Sequence, residues 1–210
     1  MVSRKTIFWE VDTQADFMLP GGKLYVPGAE KIIPNVGRLA DAARQDRVLL
    51  VSDACFHTAE DEEFRQWPPH CLRGTPGAEI IPEGRAERVY SVPNRAGAQL
   101  PAKLEDFQQV VLEKQTLDVF DNPNTEVLLE RLDSDAEFVV FGVVTEYCVR
   151  CASKGLLERG RRVTLVTDAI ETLNPVDGQR TLQELTAKGA RLLSTNEALA
   201  LLPQPVARSA

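Results

Sequence analysis

The chain has 210 residues, 43% of them apolar and 26% charged. That globular balance excludes fibrous and disordered classes and is enough for one large domain spanning 1–210. The formal charge of −7 works against a nucleic-acid partner, because phosphate binding needs a basic surface, and the four cysteines make no disulfide framework in a chain this long. No apolar run reaches the length of a membrane span and the first residues carry no signal-peptide core, so a cytoplasmic protein without membrane attachment is expected.

In chain order, residues 6–11 (TIFWEV) read as a first strand, 31–45 as an amphipathic helix and 47–52 (RVLLVS) as a second strand. Further strands follow at 107–113, 137–143, 162–167 and 191–194, with helices at 125–132, 147–159 and 177–188. The strands are short, nearly continuous apolar runs rich in β-branched residues, as expected for strands buried on both faces. Right-handed crossovers then place the helices on both sides, predicting a single-domain, three-layer α/β fold around a mostly parallel sheet. Gly160 and Gly189 sit where two of these helices need a C-terminal cap. Residues 53–88 break the rhythm: they hold Pro68, Pro69, Gly74, Pro76, Gly77, Pro82, both histidines and two of the cysteines. A long irregular stretch leaving the carboxyl end of a parallel strand is where a ligand site is expected.

Three polar residues fall where strands finish: Asp12, Lys114 and Cys148. Parallel strands would bring all three to one edge of the sheet. Cys148 lies in the first turn of a helix, where free N–H groups and the helix dipole favour a thiolate, and a nearby Lys114 would add to this. Asp12 would serve as general base. Taken singly, each has a plainer reading: Asp12 capping a turn, Lys114 as a solvated charge, Cys148 as a small buried hydrophobe. Only His57 and His70 are available for a cysteine–histidine pair, and their spacing suits a metal site better, so the base for Cys148 is expected to be a carboxylate. Cys148-Val-Arg-Cys151 also matches a C-x-x-C redox pair, although it follows a late strand and lacks an internal proline.

Val11-Asp12-Thr13-Gln14-Ala15-Asp16-Phe17, Trp67-Pro68-Pro69-His70-Cys71, Gly74-Thr75-Pro76-Gly77 and Gly142-Val143-Val144-Thr145-Glu146-Tyr147-Cys148-Val149 carry a resemblance that runs from about Thr6 to Asn196. With Lys114 at the end of an intervening strand, the chain resembles nicotinamidases and their relatives among the isochorismatase-like cysteine hydrolases. The resemblance implies Asp12 as base, Lys114 as its partner and Cys148 as nucleophile. It also implies a cis peptide before Val144, which turns the Val144 N–H, with that of Cys148, toward a developing oxyanion. The implied reaction is amide hydrolysis through a thioester, converting nicotinamide to nicotinate and ammonia. Other small amides or ureides are the alternative substrates, and a non-enzymatic zinc or redox module is a remoter one that leaves Asp12 and Lys114 without a role.

The same resemblance implies a divalent metal, zinc first, held by His57, Glu63 and His70. Cys55 stands where the family's D-x-H motif has aspartate. Cysteine, histidine and glutamate are all acceptable zinc ligands, but the change equally fits a loop that has lost its metal and only shapes the pocket. Phe17, Leu24, Trp67, Phe120 and Tyr147 match the small aromatic substrate pocket, and plain core packing would use the same residue types. A homo-oligomer acting on a small molecule, with no organic cofactor, completes the expectation.

Overall fold

A computed structural model describes residues 5–203. Seven strands form one sheet in the order β3-β4-β2-β1-β5-β6-β7, with every neighbouring pair parallel. They are β1 (Thr6–Val11), β2 (Leu49–Cys55), β3 (Val89–Val92), β4 (Gln109–Lys114), β5 (Glu137–Gly142), β6 (Arg162–Ile170) and β7 (Arg191–Leu193). The helices are α1 (Ala15–Met18), α2 (Ile33–Arg44), α3 (Asn124–Glu130), α4 (Arg150–Glu158), α5 (Pro175–Ala187) and α6 (Thr195–Ala200).

Alternate residues of the central strands feed two cores, as the pleat requires. Phe8, Leu50, Val139 and Phe141 pack against α1, α2 and α6 through Phe17, Met18, Val36, Leu39 and Ala198. On the opposite face, Ile7, Trp9, Leu49, Val51, Phe138 and Val140 pack against α3, α4 and α5 through Leu128, Ala152, Leu156 and Leu185. The expected three layers are present. Strand order reverses direction beside β1, which lies between β2 and β5, and such a switch point leaves a crevice at the carboxyl ends of the strands.

Several boundaries differ from the sequence reading. β2 starts two residues later than expected and continues through Cys55, so Asp53 and Cys55 belong to the sheet and not to the loop. β6 runs on to Ile170 past a register shift. The helix expected from residue 147 instead opens as a π-turn over Thr145–Val149, and α4 begins only at Arg150. β3 lies at the edge, beyond β4, and was hidden by the turn-rich stretch before it. α6 opens with a capping box between Ser194 and Glu197, a pattern visible as S-x-x-E in the sequence.

Candidate active site

Asp12 follows β1, Lys114 ends β4 and Cys148 follows β5, and β2 lies between β4 and β1. The expected convergence of these three residues is present. Lys114 Nζ lies 2.7 Å from Asp12 Oδ2 and donates to Cys148 Sγ at 3.6 Å, with the lysine and aspartate side chains 0% and 1% exposed. Nζ also donates to Cys55 Sγ at 3.2 Å and to the Thr116 carbonyl at 3.4 Å. Asp12 turns toward this cluster by taking a positive φ of 48°, its N–H donating to the Asp53 carbonyl at 3.0 Å. The adjoining Gly142, with φ 116°, lies so close to the Val11 backbone that a Cβ would collide with it.

The peptide between Val143 and Val144 is cis, as the resemblance implied. Val143 N–H donates to the Val11 carbonyl at 2.9 Å, tying this peptide to the end of β1. The Val144 carbonyl accepts from the N–H groups of Tyr147 and Val149, both at 3.1 Å, which closes the tight turn that carries Cys148.

The electrostatics follow from burial. Burial, and after it the Asp12 carboxylate, pushes the Cys148 thiol well above its usual range, with Lys114 working the other way. Cys148 therefore rests as a thiol, which would have to lose its proton before the sulfur could act as a nucleophile. Burial opposes the Lys114 charge, but Asp12, followed by Cys148, Cys55 and Asp53, outweighs it and holds the ammonium protonated. A second carboxylate, which the sequence reading did not select, stands beside this pair. Asp53 Oδ1 is 3.8 Å from Lys114 Nζ, while its Oδ2 accepts from Trp9 Nε1 at 2.7 Å. Burial pushes the Asp53 carboxyl well above its usual range, with Lys114 working the other way.

Beyond Cys55 the chain folds back on itself. His57 N–H donates to the Cys71 carbonyl at 3.0 Å and Arg73 N–H to the His57 carbonyl at 2.9 Å, which lays residues 71–73 alongside His57. That pairing brings His70 to His57, with ring centroids 4.7 Å apart. Ligand atoms of Cys55, His57 and His70 lie within 4.8 Å of one another, and all three residues are buried. Glu63 Oε2 is 3.8 Å from His57 Nε2, and neither of these buried atoms has a hydrogen-bond partner. His57 Nδ1 faces Asp61 Oδ2 at 3.0 Å and His70 Nδ1 faces the Pro68 carbonyl at 2.8 Å, an arrangement that leaves both Nε2 lone pairs for a cation. Burial lowers both imidazoles toward the neutral form that ligates metals. Cys55, His57 and His70 thus fit a divalent ion in chemistry and mutual distance, with the Glu63 carboxylate beside His57. Asp61, four residues after His57, was missed in the sequence, as was Gln14, whose amide holds the backbone of Cys55 at both its N–H and its carbonyl.

Phe17 packs on His70 with centroids 5.2 Å apart, and Tyr147 meets Trp67 edge-on at 5.5 Å. Leu24 is half-buried against the same core as Phe17. Phe64, another residue missed in the sequence, packs against both histidines, at 5.0 and 5.6 Å. Phe120 packs on α4 and belongs to the same apolar cluster as Tyr147 and Cys148. Its ring lies against Gly155 of α4 with the Arg159 guanidinium 3.7 Å above it, because glycine leaves a hollow there that the ring fills.

Fold and side chains together define an α/β protein with a thiol, an ammonium and a carboxylate gathered at the carboxyl ends of parallel strands. The isochorismatase domain matches residues 7–92 and 85–197, and the chain belongs to that family. It is 25% identical to the nicotinamidase of Escherichia coli K12 over 204 residues, covering 87% of this chain and 91% of that one. It is 26% identical to the nicotinamidase/pyrazinamidase of Mycobacterium tuberculosis H37Rv over 194 residues, covering 89% and 97%. Among solved structures, the zinc complex of Pyrococcus horikoshii pyrazinamidase superposes with a TM-score of 0.70 at 27% identity, covering 90% of this chain and 99% of that one.

Proposed function

We propose that the chain is a cysteine amidohydrolase that cleaves a small amide through a thioester, with nicotinamide, yielding nicotinate and ammonia, as its substrate. The observation that carries this reading is the Lys114 ammonium, in contact with the Asp12 carboxylate and the Cys148 thiol at once. Asp12 accepts the thiol proton and the sulfur attacks the carbonyl carbon. The Val144 and Cys148 N–H groups hold the oxyanion, an interaction worth ~3 kcal/mol in comparable sites. Asp12 returns the proton to the departing nitrogen, which leaves as ammonia. It then takes a proton from the water that hydrolyses the thioester, regenerating the thiol. Lys114 remains charged throughout and balances Asp12 and the thiolate in turn. Cys55, His57, Glu63 and His70 would hold a divalent ion, zinc first, which supplies a Lewis-acid anchor for a ring nitrogen. Phe17, Trp67 and Tyr147, with Leu24 behind them, form the aromatic wall. The cytoplasm suits such an enzyme, since reducing conditions protect a catalytic thiol.

The position of Phe120 favours a second reading within the same chemistry. With that ring held by Gly155 and Arg159, its position beside the pocket is fixed, which suits a smaller amide or a ureide. Ammonia release from nicotinamide and from a panel of small amides and ureides, with Cys148→Ala as control, tests both readings. Turnover near wild type in folded Cys148→Ala would overturn the mechanism, and the ranking within the panel decides the substrate.

A further inference from the structure

Of the four side chains around the cation position, one is not an oxygen or nitrogen ligand. We propose that Cys55 binds there as a thiolate, making a sulfur-ligated centre that selects zinc, cobalt and cadmium over manganese and magnesium. This rests on the reading of the site above and specifies which ion it takes.

The sulfur has little freedom to be elsewhere. Cys55 ends β2 and is 2% exposed. Gln14 grips its backbone from both sides, accepting from the N–H at 2.7 Å and donating to the carbonyl at 2.6 Å. Its Sγ shares a 4.8 Å cluster with ring nitrogens of His57 and His70, beside the orphaned Nε2 of His57 and Oε2 of Glu63. A cysteine acting only as a small hydrophobe would be surrounded by carbon. This one accepts a hydrogen bond from a buried ammonium, Lys114 Nζ at 3.2 Å, a partner that suits a sulfur anion. On metal binding the thiol proton is released and a metal–sulfur bond replaces the S–H bond, with no change of oxidation state. A thiolate carries the same charge as the carboxylate it would replace, so the donor set still balances a divalent ion. What changes is softness. Thiolate and imidazole favour zinc, cobalt and cadmium, whereas manganese and magnesium favour sets made of oxygen.

Cobalt reports sulfur directly, through a sulfur-to-metal charge-transfer band in the near ultraviolet. The full chain, stripped with chelator and titrated with cobalt chloride, is expected to develop this band at one equivalent. The band should persist in Cys148→Ser and Cys151→Ser and vanish in Cys55→Asp. In competition between zinc and manganese, Cys55→Asp should move at least tenfold toward manganese. Circular dichroism checks that the variant folds. Should it not fold, X-ray absorption of the zinc-loaded wild type decides the point through a sulfur neighbour at about 2.3 Å. Cobalt bound without the band, a band surviving in Cys55→Asp, or no metal bound at all overturns the proposal. Amide turnover is measured separately: hydrolysis without the band defeats this inference and leaves the hydrolase standing, while the band without turnover does the opposite.

Discussion

Lys114 is fully buried, with its ammonium paired to Asp12 at 2.7 Å and Asp53 Oδ1 3.8 Å away. Removing that charge leaves Asp12 as an uncompensated anion in the core, the costly half of breaking a buried pair. Lys114→Met is therefore expected to destabilise the fold by about 3–5 kcal/mol, read from urea denaturation. It should also lower amide turnover at least ~100-fold by withdrawing support from the thiolate. Cys148→Ala differs in kind. It removes one buried sulfur and should shift stability by only about 1 kcal/mol, while turnover falls at least ~1000-fold because no other group forms the thioester. Cys151, the partner in the C-x-x-C pattern, makes none of the Lys114 contacts described above. Cys151→Ser is expected to retain most activity, and complete loss in that variant would return weight to a redox role.

At the scale of elements, neighbouring strands share polar side chains that fasten the irregular segment to the sheet. Glu10 of β1 accepts from Ser52 of β2 at 2.6 Å and from Gln109 of β4 at 3.1 Å, and Gln109 also donates to the Gly84 carbonyl at 3.1 Å. Gly84 is glycine because a Cβ there would strike the Glu10 carboxyl. Burial raises Glu10 to about 7, with the hydrogen bonds from Ser52, Thr13 and Gln109 working the other way. The folded chain thus keeps this proton at pH values where the unfolded chain, near the ordinary 4.5, has lost it. The resulting stabilisation is fully present below about 4.5 and is lost as pH rises through about 7. Comparing wild type with Glu10→Gln by denaturant titration at pH 5 and pH 8 isolates the effect. Wild type should lose up to about 3 kcal/mol relative to the variant over that interval, and parallel behaviour of the two proteins would refute it.

For the whole molecule, a single sheet with a core on each face leaves no plane along which the chain divides easily, and we propose that 1–210 folds as one domain. Trp9 is wholly buried in one core, while Trp67 is half-buried at the site. If the fold is one cooperative unit, tryptophan fluorescence and far-ultraviolet circular dichroism should give coincident denaturation curves, even in Trp67→Phe, where Trp9 alone reports. Separate transitions would show that the segment carrying the histidines opens independently of the sheet. No helix among the described residues is long and apolar enough to cross a membrane.

The amino-acid sequence by itself determined six of the seven strands and the meeting of Asp12, Lys114 and Cys148 at one edge of the sheet. Strands buried on both faces announce themselves as short β-branched runs, and once they are parallel their final residues must lie together. Asp12, Lys114 and Cys148 could therefore be grouped across long separations in the chain. Only the tertiary structure decided what happens between β2 and β3. There the chain has no period to read, and its path is set by single polar contacts: Gln14 gripping Cys55, Asp61 turning His57, and the backbone pairing that brings His70 alongside. It likewise decided that Asp53 faces Lys114, since β2 runs three residues past the point where its apolar pattern stops. Phe120 shows the same division: nothing near it in the chain tells that its ring fills the hollow at Gly155, on a later helix. Local periodicity is written within a few neighbouring residues, whereas the complement of a side chain is supplied by whichever distant segment the fold places beside it.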